Sequence, residues 1–279
     1  MIAYRAMLDV PRELVTYLAG LLARERRVIG TRRRTRSLTC FRQATLVLVW
    51  FRKGEDKALL AAGFGVSRAT GYRYIGEGVK VLTNQAPDLH DALQRVADDG
   101  WSHVILDGKL FRTDRVAETT TSVKGEQIDA WYSGKHRAFG ANIQAIMRPD
   151  GLPVWTSPAL PGHLHDLTCA QHHQIDAALY WAASQLNLPT LADSGYDGTG
   201  AGIHTPVKQP TDSQLGPDNR TYNTLLRSLR CQGERGFALL TGRWHNLRRI
   251  TASPTTTGDI VRAALVLTHF EHNHLPNPC

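Results

Sequence analysis

The sequence predicts a mixed α/β domain preceded by an all-helical helix-turn-helix segment, and three observations predict it. Up to about residue 82 the apolar residues recur at helical spacing, with one tight glycine turn closed by a serine. From residue 101 the pattern changes to short strand-like runs. Two of those runs end in an aspartate followed by small residues, Leu106-Asp107-Gly108 and Ala192-Asp193-Ser194.

The elements follow in order. Residues 10 to 25 read as a helix, with Pro11 in the first turn and Leu14, Leu18, Leu21 and Leu22 as its apolar stripe. Phe41, Ala44, Leu46, Val47 and Trp50 form the stripe of a second helix. Asp56 to Ala62 is a short third helix that stops at Gly63. After the turn Gly63-Phe64-Gly65-Val66, Ser67 stands where an N-cap belongs, and a fourth helix runs from Arg68 to Leu82. Short helix, glycine turn and capped helix are the outline of a helix-turn-helix. One more helix, Asp88 to Ala97, leads into the α/β part. There, 103–106, 141–147 and 152–156 read as strands, the last two joined by the hairpin turn Pro149-Asp150-Gly151. Asp166 to Leu186 reads as one long helix, 189–193 as a strand, Tyr222 to Leu240 as a helix and Gly258 to His272 as the last helix.

The expected domains are an N-terminal helix and basic linker (1–34), the helix-turn-helix (35–85), a connector (86–100), the α/β domain (101–272) and a tail (273–279). Trp131, Trp155, Trp181 and Trp244 read as core, although Trp244, just past Arg243, could instead stack on an unpaired base.

The chain has 279 residues and a formal net charge of +8, an imbalance that favours polyanionic partners. Arginines crowd the stretch from Arg24 to Arg36, so Arg32, Arg33 and Arg34 are candidate phosphate contacts. At the start of the fourth helix, Ser67, Arg68, Thr70, Tyr72 and Arg73 are the candidates for contact with double-stranded DNA. Arg68 is suited to bidentate bonds with guanine, and Tyr72, Arg73 and Tyr74 to phosphates. Four cysteines without CxxC spacing give neither a zinc site nor a disulfide framework. Charged Asp9, Arg12 and Glu13 exclude a signal peptide, and no apolar run approaches the roughly 20 residues of a membrane span. A cytoplasmic protein with no membrane association is expected.

A carboxylate closing an apolar strand must lie at the strand end or have a partner, because burying it alone is costly. Asp107 and Asp193 repeat that design and can meet at one end of a sheet. Glu234 lies on the helix that also carries Asn223, Arg227 and Arg230 on one face, spaced i, i+4, i+7 and i+11. Three carboxylates without cysteine suit Mg²⁺ or Mn²⁺. Two such ions roughly 4 Å apart can drive in-line phosphoryl displacement.

Five blocks then carry a family resemblance: LDGKLFRTDR (106–115), YSGKHRAFGANIQ (132–144), SPALPGHLHD (157–166), LADSGYDG (191–198) and LRCQGERGFALLTGRW (229–244). The chain resembles bacterial insertion-sequence transposases of the DDE superfamily endonuclease group, with an N-terminal transposase helix-turn-helix, over about residues 35 to 272. The resemblance implies an RNase H-like mixed sheet flanked by helices. It implies Asp107, Asp193 and Glu234 as catalytic and metal-holding residues, and Mg²⁺-dependent cutting and transfer of DNA. It further implies terminal repeats and target DNA as partners, a homodimer or higher assembly on DNA, and a place at the bacterial nucleoid. His165 and Asp166 match a recurrent block and are candidates for supporting the site, as are Arg227 and Arg230. Lys109 departs from the Thr that often follows Asp-Gly and adds a cation, a candidate phosphate contact.

Two other readings remain. One is a DNA-binding regulator descended from a transposase, with its chemistry lost. The other is a metal-dependent hydrolase built on His163, His165, Asp166, His172, His173, His269, His272 and His274.

Overall fold

The computed structural model describes residues 7–32, 34–122 and 124–275. The chain divides into two compact units: Met1–Ala86 with Thr241–Arg248 and Arg262–Cys279, and Pro87–Leu240 with Arg249–Val261.

The first unit is helical: α1 (Arg12–Val28), α2 (Cys40–Lys53), α3 (Lys57–Gly63) and α4 (Arg68–Thr83). Local caps fix their starts. Thr39 accepts a hydrogen bond from the Arg42 amide, Asp56 from the Ala58 and Leu59 amides, and Ser67 from the Thr70 amide. Leu14, Leu18, Leu21 and Leu22 of α1 are buried as their spacing predicts. Phe41 is not: it stays 44% exposed on the outer side of α2. Between α1, α2 and α4 lies a polar network. Arg36 donates to Glu77 at 2.6 Å, Gln43 donates to Glu77 at 2.9 Å and to the Tyr74 carbonyl at 3.1 Å, and Arg26 donates to Gln43 at 2.5 Å.

The second unit begins with α5 (Leu89–Asp98), capped by Asp88, and continues into strand β1 (Val104–Arg112). A small exposed hairpin, β2 (Thr119–Thr121) with β3 (Gln127–Asp129), follows. β4 (Tyr132–Ser133), β5 (Ala138–Met147), β6 (Pro153–Thr156) and β7 (Leu160–Pro161) come next. β1 pairs antiparallel with β5 over eight residue pairs, Ile105 with Met147 through Arg112 with Gly140. β4, β7 and β6 line the other edge of β5 in that order. Then come α6 (Asp166–His172), α7 (Ile175–Gln185), β8 (Thr190–Leu191), β9 (Ile203–His204), α8 (Pro217–Arg243) and α9 (Thr257–Glu271). β8 joins the free edge of β1 in parallel, and β9 joins β8 in parallel. Three antiparallel positions followed by two parallel ones is the strand order of an RNase H-like sheet, as the resemblance implied.

The two faces of β1 serve different neighbours, as a period of two demands. Val104 and Leu106 enter the core built with α5, α6 and α7. Ile105 and Phe111 face α8, where Phe111 packs edge-on against Phe237. Gly233 lets α8 lie this close: a Cβ there would stand 2.8 Å from Cγ2 of Ile105.

Two expectations need correction. β1 does not end before Asp107 but continues to Arg112, because its ladder with β5 carries the chain through the carboxylate. The long helix expected over 166–186 is two helices. The break falls at Gln174, which takes a left-handed conformation with φ 53° and re-aims α7 so that Ile175, Ala178, Leu179 and Ala182 enter the core. Trp244, by contrast, is fully buried as its reading as core expects, with Nε1 donating to Thr268 Oγ1 at 2.9 Å.

Candidate active site

Asp107 lies mid-strand in β1, half-buried, on the side of the sheet that faces α8. One of its carboxylate oxygens accepts from the next amide, Gly108, at 3.0 Å. Asp193 follows β8, the parallel neighbour of β1, and caps the single turn Ser194–Tyr196, accepting from the Gly195 amide at 2.8 Å. Asp166 opens α6 and is held by two donors: Asn142 Nδ2 at 2.9 Å and Gln144 Nε2 at 3.4 Å, both on Oδ1.

These three carboxylates act on one another. Burial pushes the Asp107 carboxyl up to about 6, the Arg230 guanidinium opposes that rise, and the charges of Asp193 and Asp166 add to it. Asp193 Oδ1 and Asp166 Oδ2 lie 2.9 and 3.9 Å from a single point, the place where a Cβ on Gly195 would stand. Gly108 closes the arrangement from below. A side chain there would meet Asp166 Oδ1 at 2.5 Å, Gln144 Nε2 at 2.7 Å and the Tyr196 hydroxyl at 2.9 Å, so only glycine leaves room for Asp166.

Behind Asp166 runs a buried relay of hydrogen bonds with one direction. The Tyr196 hydroxyl donates to Gln144 Oε1, Gln144 Nε2 donates to Asn142 Oδ1 at 2.8 Å, and Asn142 Nδ2 donates to Asp166. Each donor points toward the carboxylate and fixes it in place. Burial and the three aspartates hold the Tyr196 hydroxyl well above its ordinary range, so it stays a donor. Sequence reasoning gave Asn142, Gln144 and Tyr196 no role. The signal was present in Ala141-Asn142-Ile143-Gln144-Ala145, where two amides alternate inside an apolar strand and so share one face.

Glu234 sits exposed on α8, one turn from half-buried Arg230, and is not among the charges acting on Asp107. Arg227 is exposed on the same helix. Lys109 lies on the same side of β1 as Asp107, its ammonium 5.7 Å from the Phe237 ring centre on α8. His165 is exposed at the start of α6 and makes no side-chain cap.

Among the described residues no three His, Cys, Asp or Glu side chains stand close enough to hold a metal ion together. His163 donates Nδ1 to the Ala130 carbonyl at 2.6 Å. A divalent cation is nevertheless what the donor chemistry fits. The acids at Asp107, Asp193 and Asp166 are hard oxygen donors, and their mutual repulsion is opposed at Asp107 by one arginine.

In the helical unit, Ser67, Arg68, Tyr72 and Arg73 are exposed at the start of α4, and Thr70 is half-buried against the Ser67 hydroxyl at 3.0 Å. Arg68 lies over the Tyr72 ring at 5.5 Å, and Lys57 lies against the same ring at 5.2 Å. Tyr74, by contrast, is fully buried and is a core residue rather than a phosphate contact. Arg32 and Arg34 are exposed, and Arg33 lies outside the described residues.

Residues 106–269 match the family described as DDE superfamily endonuclease, and residues 36–88 match the helix-turn-helix of DDE superfamily endonuclease. The first match alone spans more than half of the chain. No curated protein matches. Among solved structures, a chain of the crystal structure of the Mos1 strand transfer complex aligns over 98% of this chain and 99% of its own. Its identity is 8% and its TM-score 0.21, too low to support any conclusion. No helix among the described residues is long and apolar enough to cross a membrane.

Proposed function

The chain belongs to the DDE superfamily endonuclease family, and from that premise we propose that it is a transposase that binds the ends of an insertion sequence and cuts and transfers their strands. The observation that supports this reading most is the half-buried carboxylate of Asp107, raised to about 6, with Asp193 just past the end of the neighbouring parallel strand. A protein keeps so unfavourable a charge arrangement where the chemistry needs it.

Asp107 and Asp193 are the residues that would hold a divalent ion, Mg²⁺ or Mn²⁺, and Glu234 is the third acid in this reading. When bound, two such ions supply charge neutralisation for the attacking and leaving oxygens of an in-line displacement. The chain's own residues do the rest. The relay from Tyr196 fixes Asp166 beside the pair. Arg230 offsets part of the negative charge of Asp107 and brings a guanidinium to where a phosphodiester would lie. Helix α8 carries Arg230 and Glu234 on one face, so its placement decides whether both serve the same centre. Arg68, at the first turn of α4, reads base edges in the major groove, and Arg32 and Arg34 contact phosphates.

Cleavage of a labelled duplex carrying the ends of the element that encodes the chain tests the reading, with Mg²⁺, Mn²⁺ or EDTA, beside Asp107→Ala. Metal-dependent cutting at the ends, absent in Asp107→Ala, is the expected result. Binding of the ends without cutting in either metal would leave a DNA-binding regulator instead.

A further inference from the structure

The front of α4 carries a stack of rings and cations. Lys57, the first residue of α3, places its ammonium between two rings, 4.9 Å from the centre of Trp50 and 5.2 Å from that of Tyr72. The Arg68 guanidinium lies over the same Tyr72 ring at 5.5 Å. Trp50 is buried in α2, which anchors the stack at one end, while Tyr72 stays 42% exposed. Arg68 and Tyr72 stand i and i+4 on α4, and the nearby Ala69 and Gly76 are small and exposed, so a partner can come close. Gly71 fixes the rotation of the helix. A Cβ there would stand 2.5 Å from Cβ of Ala61, so α4 lies hard against α3 with Arg68 and Tyr72 turned outward. Arg73, by contrast, leans back on Glu77 at 4.0 Å and on the Tyr74 ring at 5.6 Å.

Stacking occupies the face of a guanidinium and leaves free the edge where its donors lie. Those donors match the O6 and N7 acceptors of a guanine in the major groove. The Tyr72 ring beside them is an apolar surface, and it constrains the neighbouring base. Adenine and cytosine present an amine there, and a second guanine presents two acceptors. Each would be stripped of water against the ring without gaining a partner. Thymine alone presents a methyl group, which an apolar ring can cover.

We infer that Tyr72 determines specificity: Arg68 and Tyr72 together read a guanine and the thymine beside it, the guanidinium on the guanine and the ring on the thymine methyl. The inference rests on the transposase reading and deepens it, because it states what the helix-turn-helix selects in the ends of the element. It replaces the phosphate contact expected of Tyr72. Lys57 supports the ring from the side of buried Trp50.

The test is competition binding of full-length protein, in EDTA so that nothing is cut, to duplexes carrying the ends of the element that encodes the chain. Each thymine in turn is replaced by deoxyuridine, which removes only the methyl, and each guanine by 7-deazaguanine, which removes N7. Wild type is expected to lose about three- to fivefold in affinity at one thymine, the effect of taking one methyl out of an apolar contact. The guanine next to it is expected to show a loss of about tenfold. Tyr72→Phe keeps the ring and should retain the thymine effect, whereas Tyr72→Ala should erase it and Arg68→Ala should erase the guanine effect. The inference is overturned, with the transposase reading left standing, if the wild-type scan shows no methyl-sensitive thymine beside a sensitive guanine, or if the thymine effect survives Tyr72→Ala. An even loss of affinity on every duplex in Tyr72→Phe also overturns it, by making the hydroxyl a phosphate contact. Failure to bind the ends at all overturns both.

Discussion

The two units treat charge in opposite ways. In the helical unit the part-buried charges are matched: Arg36 with Glu77, Gln43 bridging Glu77 to Arg26, and Arg243 between Glu271 and exposed Asp9. In the α/β unit, the charges of Asp193 and Asp166 both act on half-buried Asp107, where the Arg230 guanidinium and the Gly108 amide oppose them. The first arrangement specifies a rigid surface whose exposed arginines are left for a ligand. The second holds energy that a cation would release. The difference separates a part built to be a firm platform from a part built to be completed by what it binds.

The sharpest way to break the comparison is to remove acids one at a time. Asp193→Ala is expected to lower metal-dependent cutting by at least about 10³-fold, because several kcal/mol of transition-state charge stabilisation is lost. Glu234→Ala and Asp166→Ala, run side by side in the same cleavage assay, sharpen it. An equal loss for Glu234→Ala makes it the third acid, whereas a loss confined to Asp166→Ala moves that role to the relay-held carboxylate.

Stability should move in the other direction. The Asp107 carboxyl is raised to about 6, so folding favours its protonated form. The wild-type protein is therefore most stable, as far as this group is concerned, below the ordinary carboxylate pKa, and loses that stability as pH rises through 6. Asp107→Asn removes the penalty. In EDTA at pH 8 it is expected to stabilise the α/β unit by up to about 3 kcal/mol, with the gain vanishing near pH 4. Thermal denaturation at the two pH values measures it, and a loss of stability at pH 8 would count against the crowded-charge account.

The matched unit should respond in the ordinary way. Arg36→Ala leaves Glu77 part-buried with only Gln43 as a close donor, and urea denaturation should show a loss of about 1–3 kcal/mol. The smallest effects belong to the surface. Arg68→Ala is expected to relax preference at one base pair by about tenfold, while Arg32→Ala or Arg34→Ala reduces the slope of log K against log salt by about 1. Competition binding across salt concentrations separates the two behaviours.

What was legible in the sequence was local. The starts of α2, α3, α4 and α5 could be read because Thr39, Asp56, Ser67 and Asp88 cap them through their own neighbours' amides. The identity of Asp107 and Asp193 as unusual acids was also local, since each interrupts an apolar run. The length of β1 was hidden because its continuation depends on β5, some thirty residues away, not on its own side chains. The break at Gln174 carried no glycine or proline to announce it. The relay from Tyr196 to Asp166 joins three segments, so only the fold could assemble it.

The outer border of the sheet has a consequence for how the protein behaves in a crowded cell. β5 is ten residues long and apolar, and an open edge of that length would recruit other chains by backbone pairing. Here it is tiled by three pieces of two to four residues, β4, β7 and β6, and the opposite border is the two-residue β9. Among the described residues no bordering strand of this sheet exceeds four residues, so the sheet offers another copy of the chain little backbone with which to pair.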